Sequence, residues 1–227
     1  MMAGRRARLR LVIFDCDGVL VNSEPIANRL VAQSLTEAGW PISPAEAQSR
    51  FLGMALRDMV PVIEAELGRP LPEGWSRSLA GAIYDALSAE AELIPGAAEA
   101  LHAVTALGLP WRIASNSSHE EMAAKFGRNG LAHIVAGRVH SHRDVPRGKP
   151  APDLFLAAAA AEGVAPEACV VIEDSVPGVT GAVAAGMDCL GYAPHGDGAA
   201  LRAAGAHPFH AMTDLPELLA LALKADA

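Results

Sequence analysis

The segment Leu9-Arg10-Leu11-Val12-Ile13-Phe14-Asp15-Cys16-Asp17-Gly18-Val19-Leu20 sets the frame for the rest of the chain. Leu11 to Phe14 is a short apolar run, which reads as a buried strand. It ends on two carboxylates, Asp15 and Asp17, with Gly18 directly after them. Residues two apart on extended chain share a side, so both acids are expected to face one spot at the strand's carboxyl edge. Cys16 then points away from them. Gly18 lets the chain turn there, because it accepts positive φ without a side-chain clash. Packing does not account for two acids at the end of a buried strand. Unpaired buried charge is costly, so a cation or a chemical role is expected.

After this strand, helical signals dominate from Ser23 to about Ala91. Glu24 to Ala38 reads as a helix ended by Gly39. Ser43-Pro44-Ala45-Glu46 has capping-box spacing with proline at the first helical position. Leu56, Met59, Val60, Ile63 and Leu67 recur at helical spacing up to Gly68, and Trp75 to Ala89 reads as a further helix. From Pro95 helices and strands alternate. Strands are expected at Leu109 to Ala114, His133 to Ala136, Cys169 to Ile172, Asp188 to Gly191 and His207 to His210. Helices are expected at Ala97 to Leu107, from Ser117 (with Glu120 as a capping box) to Arg128, from Pro152 to Gly163, from Ser175 to Gly186, at Asp197 to Ala204 and at Asp214 to Leu223. Alternation of this kind implies a parallel sheet covered on both faces. The expected fold class is α/β, a Rossmann-like doubly wound parallel core with an inserted all-helical unit. The expected domains are a core at 1–21 and 95–227 and a helical insert at 22–94. Ligands of such sheets sit beyond the carboxyl ends of the strands. Asp15, Ser115 and the pair Glu173-Asp174 all fall at predicted strand ends.

The composition narrows the function further. The 227 residues carry a formal net charge of −8, which argues against a broad electrostatic grip on nucleic acid or an anionic membrane. An anionic substrate would need local positive charge or a metal. Aromatics are only 4%, so alanine and aliphatic residues must supply the packing. Cys16, Cys169 and Cys189 lack metal-ligand spacing and read as small buried hydrophobes in a reducing compartment, consistent with a cytoplasmic location. Arg5, Arg6, Arg8 and Arg10 read as a solvated tail, and the apolar run after them is too short for a signal peptide or membrane span. His140 and His142 flank a single residue and are read as solvent-exposed loop residues rather than a metal pair.

Three further segments complete the pattern: Ile113-Ala114-Ser115-Asn116-Ser117, Gly148-Lys149-Pro150-Ala151-Pro152-Asp153 and Val170-Val171-Ile172-Glu173-Asp174-Ser175-Val176-Pro177-Gly178. With the first segment, and in this order, they resemble the four motifs of the haloacid dehalogenase-like hydrolase superfamily, in its phosphatase and β-phosphoglucomutase-like branch. The resemblance implies a phosphoric monoester hydrolase acting on a small phosphorylated metabolite such as a sugar, polyol or sugar acid phosphate. It implies Asp15 as nucleophile, forming an aspartyl-phosphate, and Asp17 as general acid and base. Mg²⁺ is the implied cofactor, held by Asp15, the Asp17 carbonyl and Asp174, with Glu173 direct or through water. Ser115 and the backbone N–H of Asn116 would hold a phosphoryl oxygen, and Lys149 would neutralise charge on the transferring group.

By the same resemblance the helical insert is a cap over the site. Phe51 to Arg57 resembles its substrate-facing loop, with Gly53 as the tight turn. Gly18, Glu24, Gly53, Arg57 and Asn116 are the candidate substrate-side residues, and a monomer is expected. Mutases of this branch carry a histidine after the first motif and a lysine after the serine motif. The matching positions here are Ala27 and Ser118, and Leu56 stands at the mutase arginine, which favours a phosphatase over a β-phosphoglucomutase-like phosphohexomutase. A non-catalytic binding protein on the same fold is disfavoured by the presence of Asp15, Asp17, Lys149 and Asp174.

Overall fold

The structure, a computed structural model, describes residues 8–51, 54 and 56–225. The chain divides into two compact units, one formed by the residues up to Asn22 with Leu93 onward, the other by Ser23–Glu92. Its strands are β1 (Leu11–Phe14), β2 (Val21–Asn22), β3 (Glu92–Leu93), β4 (Trp111–Ser115), β5 (Val139–Ser141), β6 (Cys169–Glu173), β7 (Asp188–Tyr192) and β8 (His207–Phe209). Six of them make one sheet in the order β5-β4-β1-β6-β7-β8, and every pairing is parallel. From β1 the chain adds β4 and then β5 on one side, and returns to add β6, β7 and β8 on the other. The reversal lies beside β1, which is where a doubly wound sheet opens a crevice at its carboxyl edge.

Both faces of the sheet are covered. Leu11 and Ile13 alternate onto the face that holds Phe155, Val171 and Val179. That face is packed by α8 (Asp153–Ala161), α9 (Val176–Ala184) and α10 (Ala199–Ala204). Phe14 turns the other way and meets Trp111 edge-to-face, with ring centroids 6.4 Å apart. The Trp111 indole N–H donates to Thr105 on α5 (Ala97–Ala106), against which α11 (Leu215–Ala225) packs. Leu11, Ile13 and Phe14 are fully buried, each contributing about 1.5–3 kcal/mol.

Three local expectations need correcting. The apolar run near His133 is not a strand. It is the short helix α7 (Ala132–Val135), in which the N–H groups of Ile134 and Val135 both donate to the Leu131 carbonyl. The strand comes later, as β5, where Ile113, Ala114 and Ser115 of β4 find their partners Val139, His140 and Ser141. β-Branched residues favour strands only where a neighbouring strand is available to pair with. His140 therefore lies half-buried in a strand, not in an exposed loop, and burial holds its imidazole pKa below the ordinary value. The capping box of α6 (His119–Arg128) is formed by Ser118 and Glu121, one residue beyond the expected pair. β2 and β3 form a small two-stranded sheet of their own, which has no counterpart in the expected elements.

The second unit contains α1 (Glu24–Glu37), α2 (Pro44–Phe51), α3 (Leu56–Leu67) and α4 (Trp75–Glu90). Val31, Leu35, Phe51, Ile63 and Leu79 form its apolar centre. Ser43 and Glu46 make the expected reciprocal bonds at the start of α2. Cys16, Cys169 and Cys189 are all buried and unbridged. Among the described residues no helix is long and apolar enough to cross a membrane. Arg5 and Arg6 of the arginine-rich start lie outside the described residues.

Candidate active site

The ladder between β1 and β6 continues one bond past the strand, through the Asp15 N–H to the Ile172 carbonyl at 2.9 Å. This sets the Asp15 carboxylate at the sheet's carboxyl edge on the face covered by α8 and α9. Glu173 ends β6 on the same face and is wholly buried. Lys149, which precedes a cis proline at the entrance to α8, places its ammonium between the two acids. Its Nζ is 2.5 Å from Asp15 Oδ1 and 2.6 Å from Glu173 Oε1, over the Phe155 ring. The other Glu173 oxygen accepts from the N–H groups of Asp174 and Ser175 and from the Ser175 hydroxyl. Ser175 in turn caps α9 by accepting from the Gly178 N–H. Glu173 thus ties Lys149 to the loop that carries Asp174.

Asn116 holds Lys149 from the opposite side. Its side chain accepts from the Lys149 N–H at 2.9 Å and donates to the Lys149 carbonyl at 3.2 Å. Its amide therefore grips the lysine's backbone. Oxygen atoms of Asp15, Glu173 and Asp174 all lie within 4.8 Å of one another. Such a set of hard oxygen donors fits a small divalent cation. Gly18 makes room for it: at φ +79°, a Cβ on this residue would stand 1.9 Å from Asp174 Oδ2.

Asp17 does not share the surroundings of Asp15. It follows the strand on a turn, and its carboxylate is held by the loop after β4 and by α6. Lys125 Nζ lies 2.6 Å from Oδ1, and the Ser117 hydroxyl donates to Oδ2 at 2.7 Å. Lys125 also donates to Ser117 Oγ at 2.8 Å. Ser115 is buried at the end of β4; its hydroxyl lies 3.4 Å from Asp17 Oδ2 and accepts from the Ser117 N–H. The Ser141 hydroxyl on β5 donates to the Ser117 carbonyl and fixes the loop.

The electrostatics follow from burial. Burial pushes the Asp15 carboxyl up from 3.8 to about 7; Lys149 opposes the rise, while Glu173 and Asp17 add to it. A carboxylate half-protonated near neutrality is a poor nucleophile, so this site favours a bound cation that would keep Asp15 ionised. Burial also opposes the charge on Lys149, but the Asp15 and Glu173 carboxylates outweigh it and raise the ammonium's pKa. Lys125 behaves likewise, with Asp17 as the dominant opposing charge. The Cys16 thiol is fully buried and pushed well above its usual range, so it is not a nucleophile.

The sequence matches the haloacid dehalogenase-like hydrolase family over residues 9–186. The chain belongs to that family. It is 33% identical over 195 residues to the 6-phosphogluconate phosphatase of Escherichia coli (strain K12), covering 83% of this chain and 86% of that protein. A solved haloacid dehalogenase-like protein from Agrobacterium tumefaciens shares 37% identity, with TM-score 0.83 over 94% of this chain and 98% of that one. A family hydrolase from Deinococcus radiodurans, solved with phosphate and sodium bound, shares 33% identity with TM-score 0.81 over 95% and 97% of the two chains. This haloacid dehalogenase-like protein is accordingly a phosphoric monoester hydrolase.

The remaining candidate residues of this hydrolase fall between Ser23 and Glu92 in the chain. Glu24 begins α1 and accepts from the Gln48 side chain at 3.2 Å. Arg57 is largely exposed on α3, with Asp58 beside it at 3.5 Å. Gly53 lies outside the described residues. Two residues that contact Asp17 were not among the candidates from the sequence, Lys125 and Ser117. Ser117 closes the second motif but reads there only as a helix cap, and Lys125 falls neither at a strand end nor in any of the four motifs. The only hint was a lysine on the apolar side of a helix, three residues after buried Met122 and one before buried Phe126.

Proposed function

We propose that this protein is a Mg²⁺-dependent phosphatase of a small phosphorylated metabolite, working through an aspartyl-phosphate on Asp15. The observation that carries this reading is the buried Asp15 carboxylate, set against the Lys149 ammonium within a cluster of three acids. Asp15 attacks phosphorus and the bond to the leaving oxygen breaks; the Asp17 carboxyl passes its proton to that alkoxide. Water then attacks the aspartyl-phosphate, Asp17 takes a proton from it, and Asp15 is released with inorganic phosphate. Ser115 and the Asn116 N–H hold a phosphoryl oxygen, and Lys149 offsets the charge of the transferring group.

Asp15, Asp174 and the Asp17 carbonyl would hold Mg²⁺, with Glu173 reaching it directly or through a water while it also binds Lys149 and Ser175. Once bound, the cation would neutralise the repulsion between the attacking carboxylate and the substrate phosphate. The Ser23–Glu92 unit would act as a cap that selects the leaving group, with Glu24 and Arg57 as its candidate substrate-side residues. The name of the Escherichia coli relative supports a sugar acid phosphate, within the proposed class of sugar, polyol and sugar acid phosphates. Ser118, where mutases of this branch carry lysine, spends its side chain on the cap of α6, which supports hydrolysis over internal transfer. We read the enzyme as a monomer, the default for a capped enzyme, and its charge and cysteine content fit a cytoplasmic location without nucleic-acid or membrane partners.

Free-phosphate release over a panel of sugar, polyol and sugar acid phosphates, with Mg²⁺ and with chelator, tests the reading. Turnover should require the cation and vanish in Asp15→Asn. In Asp17→Asn it should fall by the ~10²–10⁴-fold typical of lost acid–base catalysis. Turnover in Asp15→Asn equal to the parent would remove the aspartyl-phosphate from consideration. Conversion of β-glucose 1-phosphate to glucose 6-phosphate, in place of phosphate release, would mark a mutase instead.

A further inference from the structure

We propose that Lys125 is a positioning residue for Asp17, its ammonium and the Ser117 hydroxyl together fixing the carboxyl that exchanges a proton with the substrate. The inference rests on the acid–base reading of Asp17 given above. Three groups close a ring at 2.6, 2.8 and 2.7 Å: Lys125 to Asp17, Lys125 to Ser117 and Ser117 to Asp17. Each oxygen of the Asp17 carboxylate is thereby held by a different donor. The Asp17 side chain is 30% exposed and sits on a turn, so without these bonds its rotamer would be poorly defined.

Packing does not explain Lys125. Its side chain is only 2% exposed, in a position where methionine would fill the same space. Lysine is among the last residue types to be buried, because desolvating its charge is costly. Lys149 does not share the role, since its ammonium is committed to Asp15 and Glu173. The two acids of the first motif therefore have separate counter-ions, brought in by α6 and by the loop before α8. α6 itself is held in place by the reciprocal bonds of Ser118 and Glu121.

The test compares the full-length parent with Lys125→Met, Lys125→Arg, Ser117→Ala and Asp17→Asn, in Mg²⁺, on two probes. β-Glycerol phosphate has an alkoxide leaving group that needs a proton, whereas 2,4-dinitrophenyl phosphate does not. Single-turnover phosphoryl transfer to Asp15 is measured on each. Lys125→Met should slow transfer from β-glycerol phosphate about ten- to a hundredfold, with KM and the dinitrophenyl rate held within about threefold. Lys125→Arg should recover part of the loss.

Equal losses on both probes, or none on either, would overturn the proposal. If Lys125→Met does not fold, Ser117→Ala removes the second leg of the ring alone and must show the same selective loss. Equal effects on both probes in that variant would overturn the proposal as well. Asp17→Asn separates the two levels of inference. If it is inactive on β-glycerol phosphate while Lys125→Met matches the parent, only Lys125's role fails. If Asp17→Asn matches the parent, the acid–base reading itself fails.

Discussion

Asp15 combines two properties that pull against each other: it is nearly buried, and the proposed chemistry needs it ionised. Its carboxyl titrates at about 7 when only Lys149 offsets burial and the neighbouring acids. A proton and a divalent cation therefore compete for one site. The folded-state pKa lies above the ordinary 3.8, so between these values the cation must displace a proton that the folded protein holds. Mg²⁺ affinity measured by calorimetry should accordingly weaken by about tenfold per pH unit below about 7 and level off above it. An affinity that stays flat from pH 5 to 8 would show that cation binding displaces no proton from Asp15 in that range. Gly18 offers a second check. An alanine there would be strained at φ +79° and would drive its Cβ into the Asp174 carboxylate. Gly18→Ala should lower cation affinity by more than about tenfold, an effect of about 1.4 kcal/mol or more, and turnover should fall with it.

α6 shows how a helix is registered by the site it serves. Ser117-Ser118 and Glu120-Glu121 offer two adjacent capping boxes, and nothing in the local pattern separates them. The choice falls to Ser118 and Glu121 because the Ser117 hydroxyl is occupied by Asp17 and Lys125, and its carbonyl by Ser141. Ser118→Ala should therefore cost about 1 kcal/mol, or roughly 2–4 °C in Tm for a chain of this size. Ser117→Ala should leave the cap intact, and scanning calorimetry of the two variants distinguishes these roles. β5 was hidden for a related reason. Three residues, two of them polar, carry too little pattern to be read as a strand, and they pair only because β4 lies alongside. The preceding apolar run was the stronger local signal, yet it folds as the helical turn α7.

Across the protein, a net charge of −8 must be reconciled with an anionic substrate. The reconciliation is local: two buried ammonium groups and the cation of the proposed reading converge where the sheet order reverses beside β1. Ligands that bind the folded state alone stabilise it by mass action. Mg²⁺ at about a hundred times its Kd should add about 2.7 kcal/mol of stability, read as a rise in Tm that a chelator reverses. Asp174→Asn should blunt that rise, and an equal rise in the variant would place the cation elsewhere.

The sequence by itself determined the alternation of helices and strands, the buried first strand, and the acids, serine and lysine that end or follow the strands, because each depends on neighbours close along the chain. Only the tertiary structure decided which charge faces which. Lys149 meets Asp15 across 134 residues and Lys125 meets Asp17 across 108. Such pairings are fixed by the order in which the strands assemble and by the desolvation that makes an unpaired buried charge costly, and neither is expressed in a local pattern.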